Sequence, residues 1–192
     1  MTSSRASSAG PAASPPAIAD SDRDLLLSRI RDVPDWPEPG VVFKDITPLL
    51  RDPAAFDTMT ELLGAVGGEG VDVVVGIEAR GFILGAPVAH RLGAGFVPVR
   101  KAGKLPWQTA SASYSLEYGE ATIEVHVDAF QPGERVLIID DVLATGGTVR
   151  ATVDLVRGAG ADVVGVGILM ELGFLHGRDK LDDVNVRSLL LV

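Results

Sequence analysis

A chain of 192 residues lies within the range of one domain and leaves little room for a second. Hydrophobic residues make up 46% of it and charged residues 22%, enough apolar material to bury a core without a metal or disulfide staple. The absence of cysteine excludes thiol catalysis, zinc–thiolate sites and iron–sulfur clusters, and 26 acidic against 17 basic residues, a net charge of −9, argue against general binding to nucleic acid or anionic membranes.

Residues Met1–Ala19, MTSSRASSAGPAASPPAIA, are Ser, Ala, Pro and Gly with a single charge, so a disordered tail is expected over about residues 1–20. No basic start followed by an apolar stretch marks a signal peptide, and no window approaches about 18 consecutive apolar residues, so no membrane span and a cytoplasmic location are expected. One domain is expected over 21–192. In SDRDLLLSRIRDV, Ser21 or Asp22 is placed to cap a helix carrying Leu25, Leu26, Ile30 and Val33 at helical spacing. Four prolines and Gly40 in PDWPEPGVVFKDITPLL then predict an irregular stretch. A second helix is expected from Asp52-Pro53 through Phe56, Met59, Leu62, Leu63 and Val66, ended by Gly67 and Gly68.

From here strand and helix signals alternate. Val73–Ile77 reads as a buried strand, Gly81–Leu92 as a helix and Phe96–Val99 as a strand. Ser113–Tyr118 and Thr122–Val127 read as a hairpin around Gly119, with Ile123, Val125 and Val127 on one side and Glu124 and His126 on the other. Val136–Ile139, Val163–Leu169 and Val186–Leu191 read as further strands, and Gly147–Val156 as a helix. Apolar strands that do not alternate, separated by helices, predict an α/β domain with a parallel sheet covered on both faces.

The most informative stretch is Val136-Leu137-Ile138-Ile139-Asp140-Asp141-Val142-Leu143-Ala144-Thr145-Gly146-Gly147-Thr148. A buried strand ends in two carboxylates, and a loop of small residues opens directly into a helix. Gly146 and Gly147 let backbone N–H groups turn inward, the helix start adds unpaired donors, and Thr145 and Thr148 add hydroxyls. This suits a phosphomonoester held by charge-assisted hydrogen bonds worth roughly 1.5–3 kcal/mol each. Asp140 and Asp141 then lie beside whatever carries the phosphate, where adjacent carboxylates suit ribose hydroxyls or a magnesium ion that keeps most of its waters.

This segment resembles the phosphoribosyl pyrophosphate (PRPP) motif of the type I phosphoribosyltransferases. Neither GxGxxG after the first strand nor GxxxxGK[ST] occurs, which sets aside the dinucleotide and Walker alternatives. Three further segments are similar to the adenine-specific branch of that family. Val33–Leu50 resembles its hood, about residues 33–50, where the resemblance assigns base recognition to the backbone at Val42 and stacking to Phe43, with Val142 also at the base. A backbone N–H beside a C=O matches the N1 acceptor and 6-amino donor of adenine, whereas a 6-oxopurine leaves buried groups unpaired, a discrimination of roughly 10⁴-fold. Gly76–Phe82 resembles the pyrophosphate loop, with Arg80 as its fork of donors. Arg100–Pro106 and Ser113–Gly119 resemble a flexible lid, about residues 100–119, whose Arg100, Lys101 and Lys104 form a local cationic cluster in an acidic chain.

The resemblance implies the type I fold, a central mostly parallel sheet flanked by helices with a small N-terminal hood. It also implies transfer of 5-phosphoribosyl from PRPP to adenine, giving AMP and pyrophosphate in purine salvage. Asp140, Asp141, Ala144, Thr145, Gly146, Gly147, Thr148, Arg80, Lys101 and Lys104 are the expected PRPP and AMP contacts. Glu117 is the expected proton-transfer group near N7 of the base, and Arg100 the second catalytic residue, reaching the neighbouring site of a homodimer. Mg2+ is expected to bind mainly through PRPP, with no direct protein ligand assigned; no nucleic acid or membrane is an expected partner. Where the family often carries a second Arg, this chain has Ala102. His90, His126 and His176 lack metal spacing, and Lys180 reads as structural. The rivals are a sibling enzyme for another base, a PRPP-sensing regulator, which would need a DNA-binding domain, and a pyrophosphokinase, which would need an ATP site.

Overall fold

Buried apolar runs and the placing of prolines set the element boundaries in a computed structural model of the chain, which describes residues 17–115 and 119–192. The first helix, α1 (Asp20–Leu27), is shorter than its apolar spacing predicts, and neither Ser21 nor Asp22 caps it. Both sit inside the first turn, and the Ala19 carbonyl accepts from the N–H groups of Asp22 and Arg23. Ser28 Oγ donates to the Leu25 carbonyl at 2.7 Å, and Pro34 biases Val33 toward extended backbone, so the helix does not reach Ile30.

The stretch expected to be irregular is instead a hairpin. Strand β1 (Arg31–Pro34) pairs antiparallel with β2 (Val42–Asp45), a separate two-stranded sheet. Its prolines fall at a strand end and in the connection, the places where a missing N–H costs little. A short helix α2 (Thr47–Arg51) follows, opened by Asp45, whose carboxylate accepts from Thr47 N and Oγ1 at 2.9 Å each. Helix α3 (Pro53–Gly64) begins as expected: Asp52 accepts from Ala54 and Ala55 N–H groups, and Pro53 occupies the first turn.

The remaining elements are β3 (Val73–Ile77), α4 (Arg80–Leu92), β4 (Gly95–Lys101), β5 (Thr109–Ser115), β6 (Glu120–His126), β7 (Arg135–Leu143), α5 (Gly147–Gly158), β8 (Asp162–Glu171) and β9 (Val186–Leu191). They form a seven-stranded sheet in the order β5-β6-β4-β3-β7-β8-β9. The pairs from β4 through β9 are parallel, and β6 and β5 extend the sheet as antiparallel strands. Alternation along each strand divides the core in two. Val75, Ile138 and Val166 meet Val149, Val153 and Val156 of α5 on one face. Val74, Leu137 and Ile139 meet Met59, Leu63, Leu84 and Val88 of α3 and α4 on the other. Helix α4 crosses from β3 to β4 and α5 from β7 to β8, in opposite lateral directions. The strand order therefore reverses between β3 and β7, and a crevice opens at their carboxyl ends.

Candidate active site

The register of that switch point brings two loops together. Gly76 of β3 lies opposite Ile139 of β7, so Glu78 and Arg80 emerge beside Asp140 and Asp141. Both aspartates belong to β7, which continues to Leu143 rather than ending at the carboxylates. Pairing extends the strand: Asp140, Val142 and Leu143 keep partners on β8. The strand backbone fixes both acids, 9% and 5% exposed, more rigidly than a loop would.

Asp141 N–H donates to Asp140 Oδ1 at 2.9 Å. Burial pushes the Asp140 carboxyl well above the usual carboxylate range, and the neighbouring Asp141 charge pushes it further. Asp141 is raised by burial too, but the Arg80 charge opposes the shift. Arg80 Nε lies 2.7 Å from Asp141 Oδ2. The same guanidinium stands 5.2 Å from the Phe43 ring centroid, and the Trp36 ring meets Phe43 edge-on at 4.4 Å. Phe43 of the β1–β2 hairpin is thus brought to the crevice through Arg80.

A cavity of about 200 Å³ is lined by Arg80, Lys101, Tyr114, Asp140, Asp141 and Thr148 among others. A second pocket of about 70 Å³ adjoins it along Val142, Ala144, Thr145, Gly146 and Gly147, where the loop enters α5. Gly146 adopts φ +77, left-handed backbone that favours glycine, and a Cβ there would overlap the Gly177 carbonyl oxygen. A Cβ on Gly177 would likewise overlap the Ala144 carbonyl oxygen. The loop is therefore pressed against the 3₁₀ turn Gly177–Lys180, a contact between two segments distant in sequence. Arg178 of that turn pairs with Glu171, Nη2 to Oε2 at 2.5 Å, and so fastens it to the end of β8.

The cationic segment is organised differently. Arg100 Nε pairs with Glu78 at 3.2 Å and its Nη1 donates to the Lys104 carbonyl, while Lys101 N–H donates to the same Glu78 carboxylate. Lys101 faces the cavity; neither Arg100 nor Lys104 is among its lining residues. Val42 is half exposed on the hairpin. Glu117 lies outside the described residues.

Glu124, on the side of β6 opposite Ile123 and Val125, is itself buried, 6% exposed. The connection between β4 and β5 folds over it, and its carboxylate accepts from Lys104 and Leu105 N–H groups at 2.9 Å each and from Thr109 Oγ1. The Leu105 N–H foremost holds the carboxyl below its usual range. Glu124→Ala is expected to speed tryptic cleavage at Lys104 by about tenfold, because local opening governs proteolysis of a folded chain. An unchanged cleavage time course would show that the clasp does not hold the segment. Glu124 carries no motif of its own, and Tyr114 and Gly177, though they stand in segments that resemble the family, take no role from that resemblance; each contact is revealed only between distant segments.

Comparison with known proteins gives a consistent result. The family described as the phosphoribosyl transferase domain matches residues 48–190. A protein of Thermobifida fusca, called adenine phosphoribosyltransferase, is 62% identical over 173 residues, covering 89% of this chain and 98% of its own. One of the same name from Streptomyces coelicolor is 65% identical over 160 residues, covering 83% and 88%. The crystal structure of adenine phosphoribosyltransferase from Rhodothermus marinus superposes with a TM-score of 0.86 at 53% identity, covering 91% of this chain and all of that one. The Saccharomyces cerevisiae enzyme, complexed with an imino-altritol bisphosphate and adenine, gives 0.83 at 38% identity, covering 90% and 100%.

Proposed function

The chain belongs to the phosphoribosyl transferase domain family, and from that premise we propose that its cleft carries out adenine salvage with the residues assembled above. The activity is transfer of 5-phosphoribosyl from PRPP to adenine, giving AMP and pyrophosphate. The observation that carries the reading of the site is the loop Ala144–Thr148, which opens into α5 next to two buried aspartates at the sheet's switch point.

In this reading the 5-phosphate sits in the smaller pocket, met by backbone N–H groups of Ala144–Gly147, the start of α5 and the Thr148 hydroxyl. Asp140 and Asp141 hold the ribose hydroxyls. Arg80 leaves Asp141 to meet the pyrophosphate, with Lys101 and Lys104 beside it. Release of Arg80 also frees the Phe43 face for the base. Val42 faces Pro34 across the hairpin, and Pro34 has no N–H to offer. That leaves the Val42 carbonyl without a donor from Pro34, an acceptor for the 6-amino group of the ring, while Val142 flanks the base. As the bond to pyrophosphate lengthens, positive charge grows on the anomeric carbon close to the two aspartates. Glu117 serves the ring at N7.

The donor chemistry also fits a magnesium ion. Asp140 and Asp141 present buried carboxylate oxygens to the cavity and would hold the ion through its waters, the remaining ligands coming from PRPP. When bound, the ion neutralises charge on the pyrophosphate. The same proposal covers a hood at about 33–50, a lid at about 100–119, a homodimer in which Arg100 reaches the neighbouring site, and a cytoplasmic location. Among the described residues no helix is long and apolar enough to cross a membrane.

The direct test supplies purified protein with Mg2+, PRPP and each purine base in turn. Adenine is expected to give AMP, with kcat/KM for hypoxanthine and guanine lower by roughly 10⁴-fold. Comparable turnover of a 6-oxopurine would overturn the assignment of the base to the Val42 backbone.

A further inference from the structure

The tyrosine that lines the cavity from the lid side has a partner in the phosphate loop. Tyr114 lies on β5, and Thr148 Oγ1 donates to Tyr114 Oη at 2.9 Å. The ring lies against the loop as well: a Cβ on Gly147 would stand 2.8 Å from Tyr114 Cδ2. Tyr114 is thus held twice, by its ring on Gly147 and by its hydroxyl on Thr148. Its strand pairs with β6, Tyr114 opposite Ala121 and Ser115 opposite Glu120.

We propose that Tyr114 is a positioning residue that ties occupation of the phosphate loop to the placing of strand β5. This role rests on the reading of Ala144–Thr148 as the phosphate site. A hydroxyl has one proton to donate, whereas a phosphate oxygen only accepts. When phosphate arrives, Thr148 turns its proton from Tyr114 to the phosphate, and its oxygen is left able to accept. Tyr114 Oη, which has been accepting, then donates to that oxygen. A chain of two hydroxyls ending on an anion results, each bond polarising the next. The direction of the Tyr114–Thr148 bond therefore differs between the free and occupied site, and the bond is stronger when phosphate is bound. That difference favours the arrangement of β5 in which Tyr114 reaches Thr148. It also explains why the loop residue ahead of Thr148 has no side chain, since the ring occupies the space.

The experiment is a double-mutant cycle of Tyr114→Phe and Thr148→Val, read as the calorimetric Kd of ribose 5-phosphate, the PRPP and adenine KM values, and kcat. Tyr114→Phe keeps the ring on Gly147 and removes one hydroxyl, and a melting curve checks that the fold is kept. It is expected to weaken ribose 5-phosphate binding and raise the PRPP KM by about fivefold, leaving the adenine KM unchanged. In the Thr148→Val background the same change is expected to have no further effect. An equal effect in both backgrounds, or a change in the adenine KM as large as that for PRPP, would overturn the proposal, since the ring would then act by packing alone. If Thr148→Val itself left ribose 5-phosphate binding untouched, the phosphate-loop reading would fail, and the coupling with it.

Discussion

Gly146→Ala is expected to weaken AMP binding by about 10²-fold while leaving a folded protein. Two independent costs act at this position. The left-handed φ of +77 disfavours any residue with a Cβ, by roughly 1–2 kcal/mol. The added methyl would also overlap the Gly177 carbonyl, so one of the two segments must move. The loop is the softer of the two, because Arg178 fastens the 177–180 turn to Glu171. Displacement then carries the backbone N–H groups of the phosphate loop out of line. Gly177→Ala should reproduce the loss from the other side of the contact, by overlapping the Ala144 carbonyl. Calorimetric titration with AMP and a melting curve on each variant check this; full AMP affinity in a folded Gly146→Ala protein would remove the loop from the phosphate site.

Asp140→Asn should do two opposite things: raise the melting temperature near neutral pH by about 2–4 °C, and lower kcat by roughly 10²–10³-fold. Burial and the adjacent Asp141 raise this carboxyl well above its usual range, so the folded chain retains a proton that the unfolded chain releases. The stability linked to that proton is fully present below the unfolded value. It is lost as pH climbs from the usual carboxylate range toward the raised folded value. Asparagine has no such proton to lose, and Oδ1 can still accept from Asp141 N–H. The gain should therefore shrink as the solution is acidified. On the proposed mechanism catalysis moves the other way, because a carboxyl group can ionise in response to positive charge developing on the ribosyl carbon and an amide cannot. Melting curves across acid and neutral pH, with initial rates, separate the two effects. A variant less stable at every pH would make Asp140 a packing residue instead.

Legibility in the sequence depended on how local the controlling interaction is. Strand β3 matches its apolar run residue for residue, since burial on both faces leaves no other reading of Val73–Ile77, and β9 keeps the expected bounds Val186–Leu191 although only Leu189 and Leu190 of it are buried. Asp52-Pro53 marked the start of α3 because a cap is settled within one turn. The β1–β2 hairpin was hidden by its prolines, which break a central strand but are tolerated at the ends of an edge pair. Alternation told the side of β6 that Glu124 takes but not its burial, because it knows nothing of the loop that folds over the sheet at Lys104 and Leu105. Within the site, the aspartates, the glycine loop and Arg80 stood out as types of residue in a telling order. The Gly146–Gly177 approach and the Tyr114–Thr148 bond join segments far apart along the chain, and no spacing rule reaches them.

The two-stranded sheet of Arg31–Pro34 and Val42–Asp45 shares no strand with the seven-stranded one. Substitutions there can accumulate without shifting the register that aligns β3 with β7, so that, on the reading proposed for the base, its selector can diversify while the anchor for its sugar stays constant. On that reading a lineage acquires new substrates by editing one small appendage, provided the contact of Phe43 with Arg80 is kept.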